Sequence, residues 1–246
     1  MIDTILFDLD GTLLRFVQDE FIHVYFTELK KVFAGLGLDP EKAAKGIWAG
    51  TKAMILNDGT MLNSERFWLT FSEFLDIRDA RLGVIEEACD NFYSNEFNKA
   101  KVVVRHSDIP KRLVHEMTAR GYMVVLATNP LFPPCAVVSR LAWTDLKPQD
   151  FSLFTNYENS TFCKPNLAYY REVLGKINKT PDQCMMIGNC PADDMSAGEL
   201  GIETFLVTDF MENEAGLDIS GFRRGTIEEL EAHLMSLPVL KKVDSL

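Results

Sequence analysis

The chain has 246 residues, 47% hydrophobic and 11% aromatic, enough to bury one large core or two modest ones. With 25 lysines and arginines against 36 aspartates and glutamates the formal charge is −11, a balance that disfavours nucleic acid and anionic membranes as partners. No apolar run of about 18 residues occurs, and Met1-Ile2-Asp3-Thr4 opens no leader-like segment, so the expected compartment is the cytoplasm. Cys89, Cys135, Cys163, Cys184 and Cys190 show neither Cys-x-x-Cys spacing nor histidine pairing and are read as free thiols.

The first element is Ile5-Leu6-Phe7, an apolar run of the kind buried at the centre of a parallel sheet, which ends in Asp8-Leu9-Asp10-Gly11-Thr12. Extended geometry sends residues two apart to the same side, so Asp8 and Asp10 can face one point at the strand's carboxyl end. Two such carboxylates repel each other. They persist together if a cation lies between them, if one serves as a nucleophile, or if one holds a proton.

From Leu14 the pattern turns helical for about ninety residues, with helices expected over 18–33, 41–56, 64–75 and 81–97 and a turn at Asn57-Asp58-Gly59. Four helices without a strand mark a separate bundle of residues 15–100, set between the first strand and the remainder of an α/β unit formed by 1–14 and 101–246. A helix over 108–120, begun by Ser107 or Asp108 with Pro110 in its first turn and ended by Gly121, precedes the strand Tyr122–Ala127, which finishes in Thr128-Asn129-Pro130. A helix over 133–142 and a short apolar segment at 151–155 follow. Then Lys164-Pro165 stands just before a helix over 167–177, where a cation opposes the helix dipole and calls for a compensating anion. The strand Gln183–Gly188 ends in Asn189-Cys190-Pro191-Ala192-Asp193-Asp194. A strand over 202–208, a polar stretch over 209–224, a helix over 226–235 with Thr226 and Glu229 in capping-box spacing, and a loose tail from Pro238 complete the chain. The order predicts a doubly wound α/β fold with a parallel, Rossmann-like sheet and an inserted α-helical unit.

Four of these stretches resemble, in order, the motifs of the haloacid dehalogenase-like (HAD) hydrolase superfamily, whose phosphatases use magnesium and an aspartyl-phosphate. The resemblance implies that Asp8 is the nucleophile and Asp10 the general acid/base. It implies that Thr128 hydrogen-bonds the transferring phosphoryl group and that Lys164 neutralises the nucleophile and phosphate oxygens. Gly11, Thr12 and Asn129 are carried over with them as phosphate-binding residues. Mg²⁺ would be held by Asp8, the main-chain carbonyl of Asp10, Asn189 and Asp194, with Asp193 as the alternative to Asp194. The helical insert corresponds to the family's cap, and the partner is a small phosphorylated molecule acted on by a monomer or homodimer.

One position departs from the family. Asn189 stands where its first acidic metal ligand usually lies, and an amide oxygen can coordinate magnesium without bringing charge. At a surface-like dielectric one charge a few ångströms away is worth on the order of a few kcal/mol, so weaker magnesium binding than usual is expected. Asp10 argues against haloacid and phosphonate chemistry. A phosphosugar mutase, or a low-activity protein that binds phosphorylated ligands, stays open beside the phosphatase. Arg15, at the start of the insert, is read as a solvated or ion-paired group rather than a ligand, and His23, Trp48 and Trp68 as core.

Overall fold

The computed structural model describes residues 1–78 and 80–240. Among them six strands form one parallel sheet in the order β3-β2-β1-β4-β5-β6. These are β1 (Thr4–Phe7), β2 (Met123–Leu126), β3 (Leu153–Phe154), β4 (Cys184–Gly188), β5 (Glu203–Val207) and β6 (Arg224–Gly225). β1 is central and every residue in it is buried, as its unbroken apolar run requires. Its side chains alternate between the two faces: Ile5 and Phe7 enter one hydrophobic cluster, Leu6 the other, with Tyr169, Tyr170 and Val173.

The register levels the strand ends. Phe7 lies opposite Leu126 on one side and Ile187 on the other, Asp8 N donates to Ile187 O at 2.8 Å, and Ala127 N donates to Phe7 O at 2.7 Å. The segments after β1, β2 and β4 therefore leave the sheet side by side, where ligands of open α/β sheets bind.

Four helices separate β1 from β2: α1 (Gln18–Gly35), α2 (Pro40–Ile55), α3 (Asn63–Leu75) and α4 (Ala80–Ser94). α2 starts because Asp39 accepts from the backbone N–H groups of Glu41 and Lys42 while Pro40 occupies the first turn. The helix expected to reach residue 97 ends at Ser94, and a 3₁₀ segment, Glu96–Val103, carries the chain back toward the sheet. The insert and the sheet share one cluster, in which Phe16, Phe21 and Phe97 from the insert side meet Phe132 and Trp143.

The remaining helices are α5 (Ile109–Ala119), α6 (Pro134–Trp143), α7 (Leu167–Ile177) and α8 (Ile227–Ser236). Asn166 caps α7, and Thr226 with Glu229 forms the expected capping box on α8. The polar stretch before α8 contains the short edge strand β6, whose two residues are too few for a periodic signal.

The loose tail expected from Pro238 is corrected for its first residues. Leu240 N donates to Arg120 O at 2.9 Å and the Tyr122 hydroxyl donates to Pro238 O at 2.8 Å. Residues 241–246, the rest of that expected tail, lie outside the described residues. No described helix is long and apolar enough to cross a membrane, and all five cysteines are free.

Candidate active site

Asp8 and Asp10 leave β1 through a turn whose Gly11 has φ +74°, a conformation that disfavours any residue with a Cβ. Lys164, on the loop before α7, is 1% exposed and reaches between two strand-end carboxylates. Its Nζ donates to Asp8 Oδ1 at 2.9 Å and to Asp194 Oδ1 at 2.6 Å. The second oxygen of Asp194 accepts from Cys190 N at 2.9 Å. Gly188 makes that close approach possible, since a Cβ there would lie 2.1 Å from the Asp194 carboxyl. Asp193 points elsewhere and accepts from Asn129 Nδ2 at 3.1 Å.

Burial dominates the electrostatics. It pushes the Asp8 carboxyl well above the usual aspartate range, against Lys164 and with help from Asp194 and Asp10. It also raises Asp10, although Arg140 and Lys164 oppose the shift. Burial alone would lower Lys164, but Asp194 and Asp8 outweigh it and hold the ammonium charged well above its ordinary pKa. The pocket thus holds more buried negative charge than its lysine offsets comfortably, and a further cation would relieve it.

Other expected site residues serve as ties between loops. The Thr128 carbonyl accepts from Thr155 Oγ1 at 2.6 Å and from the Tyr169 hydroxyl at 2.9 Å. The Asn129 side-chain oxygen accepts from Lys164 N at 3.2 Å, so its amide joins the loop after β2 to the Lys164 and Asp193 loops. Thr12 is 1% exposed and its hydroxyl donates to Asn189 Oδ1 at 3.3 Å. Asn189 Nδ2 donates to Phe210 O at 2.7 Å. A carboxylate at 189 would set oxygen against oxygen there, which is a physical reason for the amide.

The donor set suits a hard divalent cation. Asp8 and Asp194 bring carboxylate oxygens to one buried point at Lys164 Nζ, while the Asn189 amide is engaged by Thr12 and Phe210. Among the described residues no three His, Cys, Asp or Glu side chains cluster closely enough to hold a metal themselves. Main-chain carbonyl and water oxygens would have to complete the shell.

Three polar residues packed near these loops carry no sequence signal. Arg140, on α6, is 1% exposed, pairs through Nη1 with Asp10 Oδ2, and stacks with its guanidinium carbon 4.3 Å from the Phe132 ring centroid. An arginine inside an apolar helix reads as a surface group until the fold turns it inward. Asn63, at the start of α3, is fully buried and its Nδ2 lies 3.4 Å from Pro130 O, 3.3 Å from Phe162 O and 3.3 Å from Cys163 Sγ. Glu212, whose backbone N–H donates to Asn189 O at 3.0 Å, has its carboxyl pushed up to about 7 by burial and by Asp10, Asp194 and Asp193. Arg15 forms an ion pair with Asp209 at 2.8 Å. Trp48 is 50% exposed, so it is not core.

Carboxylates beyond the carboxyl ends of β1 and β4 of a parallel α/β sheet thus close around one buried lysine. The model of the haloacid dehalogenase-like hydrolase family matches residues 2–201, and the chain belongs to that family. The HAD phosphatase of Thermococcus onnurineus is 15% identical, with a TM-score of 0.60 over 97% of this chain and 100% of its own. The magnesium-bound HAD-hydrolase YfnB of Bacillus subtilis is 18% identical, with a TM-score of 0.56 over 95% and 98%. The L-2-haloacid dehalogenase of Xanthobacter autotrophicus is 15% identical, with a TM-score of 0.56 over 96% and 100%. At such identities the likeness is one of fold. No curated protein matches the chain.

Proposed function

We propose that the chain is a phosphatase that hydrolyses a small phosphomonoester through an aspartyl-phosphate on Asp8. The observation that carries this reading is Lys164 Nζ held at 2.9 and 2.6 Å from Asp8 and Asp194, with Asp10 two residues on and supported by its own buried arginine. A neutral or apolar substrate would gain nothing from such a cluster, whereas a phosphoryl group needs an anionic nucleophile, a cation on its oxygens and a proton for the departing oxygen.

In the first step an Asp8 oxygen bonds to phosphorus and the ester P–O bond breaks. Asp10, which enters this step protonated, gives its proton to the leaving oxygen. Lys164 holds the phosphoryl oxygens in line, and the Thr128 hydroxyl, Asn129 and the Gly11-Thr12 turn border them. In the second step Asp10 takes a proton from water, the water oxygen bonds to phosphorus, and the Asp8–phosphorus link breaks to free phosphate. Asp8, Asp194 and the Asp10 carbonyl would hold magnesium, which supplies neutralising charge to the phosphoryl oxygens. The helical insert would act as the cap over this pocket.

The test is phosphate release from 4-nitrophenyl phosphate across a magnesium titration, with Asp8→Asn alongside. Magnesium-dependent release that disappears in Asp8→Asn is the expected result; no release from any phosphomonoester at saturating magnesium overturns it. A second reading, a phospholigand-binding protein with little turnover, is favoured by the fixed Asn189 amide, which leaves the site one charge poorer. It predicts saturable binding of phosphate without release, and turnover regained in Asn189→Asp.

A further inference from the structure

A cavity of about 110 Å³ lies between the helical insert and the loop that follows Asn129. Its walls are aromatic, with Phe21 and Tyr25 from α1, Trp48 from α2, Phe67 and Trp68 from α3, and Phe132 from the loop, and no charged side chain among the described residues lines it. Gln18 also lines it, and its Oε1 is buried with no hydrogen-bond partner among the described residues.

Two contacts connect this cavity to the carboxylate cluster. Gln18 also lines the cleft formed by Thr208 to Glu214, the loop whose Phe210 and Glu212 bond to Asn189. Arg140 spans the other side, with Nη1 on Asp10 and its guanidinium 4.3 Å from the Phe132 ring centroid, while its Nη2 is buried with no partner among the described residues. One guanidinium therefore separates the residue proposed to protonate the leaving oxygen from the aromatic wall.

Resting on the phosphatase reading above, we propose that this cavity receives the alcohol part of the substrate, and that this alcohol carries a single apolar six-membered ring. The cavity is also lined by Thr51 and by Tyr25, Tyr93 and Tyr157, but the Tyr25 and Tyr93 hydroxyls are already paired with each other at 2.8 Å. A polyhydroxylated leaving group would lose more hydrogen bonds to water than Gln18, Thr51 and Tyr157 return. Size sets the other limit. An apolar protein cavity of about 150 Å³ accepts benzene, so the volume here suits one ring and excludes a fused pair.

Trp48 and Trp68 make binding visible apart from catalysis. Titration of the full chain with 2-phenylethanol, a ring-bearing alcohol without phosphate, is expected to quench tryptophan fluorescence saturably. Phosphate-release kinetics would compare 2-phenylethyl, 2-(1-naphthyl)ethyl and glycerol 3-phosphates, all esters of primary alcohols. The expected result is a KM at least tenfold lower for the 2-phenylethyl ester than for either of the others. Thr51→Phe, which narrows the cavity from α2, should reduce that preference to less than threefold. Equal KM values with no quenching would overturn the cavity assignment and leave the phosphatase reading standing. A naphthyl ester bound as well as the phenyl one would overturn the single-ring limit. Saturable quenching with no phosphate released from any ester would sink the phosphatase reading while supporting the cavity as a ring-binding site.

Discussion

Two buried regions lie side by side in this molecule and are built on opposite rules. Around Lys164, charge is buried against charge, each group held by one or two partners at 2.6 to 2.9 Å. Under the helical insert, Phe21, Tyr25, Phe97 and Phe132 pack ring on ring at centroid separations of 5.9 to 6.4 Å. Removing one partner in the first region strands a charge; removing one ring in the second leaves a hole that neighbours can partly fill. The first should be brittle and the second forgiving.

The largest expected effect is that of Lys164→Met, which leaves Asp8 and Asp194 facing each other without their shared cation. A loss of about 3–5 kcal/mol is expected, as for other buried pairs broken on one side, read as a fall in Tm on the order of ten degrees. Added magnesium should recover part of it.

Next comes Arg140→Met, which joins the two regions and so tests whether they are separable. Asp10 keeps some solvent contact, with its side chain 21% exposed, so a smaller cost of about 2–3 kcal/mol is expected in denaturant unfolding, with phosphate release slowed by at least tenfold. Unchanged turnover in a folded Arg140→Met protein would show that the ion pair serves the fold alone.

In the aromatic region, Tyr25→Phe removes one half of a hydroxyl pair at 2.8 Å and leaves the Tyr93 hydroxyl buried alone. About 1–2 kcal/mol should be lost, and most of it regained when Tyr93→Phe is added, because both polar groups are then gone. A double variant as unstable as the single one would mean that ring position, not the hydroxyl pair, carries the effect.

The smallest effect is that of Glu212→Gln. Its carboxyl rises from an ordinary 4.5 to about 7 in the folded chain, so the neutral form favours folding, and that contribution is complete below pH 4.5 and lost as pH rises through 7. Between pH 6 and 8 the Tm of the unmodified chain should fall by a few degrees while that of Glu212→Gln changes less.

The same contrast explains what is legible in the sequence. A buried strand followed at once by polar residues is a local signal, so Asp8 and Asp10 stand out by position, whereas Thr128, Lys164 and Asp194, with Asp193 as its alternative, are picked out only by the resemblance of their stretches to the family's motifs. Arg140 and Asn63 lie on helices whose rotation about their axes decides what they face, and periodicity does not say which of two buried neighbours a polar side chain will meet. The cavity is less legible still. Its walls come from residues between Gln18 and Tyr157, and the spacing that marks Phe21, Trp48 and Trp68 as apolar is the same for a filled core as for a hollow one. The amide at Asn189 is visible in the sequence, but its engagement with the Phe210 carbonyl joins residues 21 positions apart across a loop without periodic pattern.

The buried amide of Asn63 has a mechanical consequence. It fastens α3 to the carbonyls of Pro130 and Phe162, one on the loop after β2 and one on the loop that carries Lys164. A lid that swung as a rigid body would have to tear both fastenings and drag the lysine loop with it. Passage into the cavity is cheaper through the half-exposed Trp48 indole on the outer rim, a motion of one side chain rather than of a domain. Rotation of one exposed side chain takes picoseconds to nanoseconds, so entry by this route would not limit turnover.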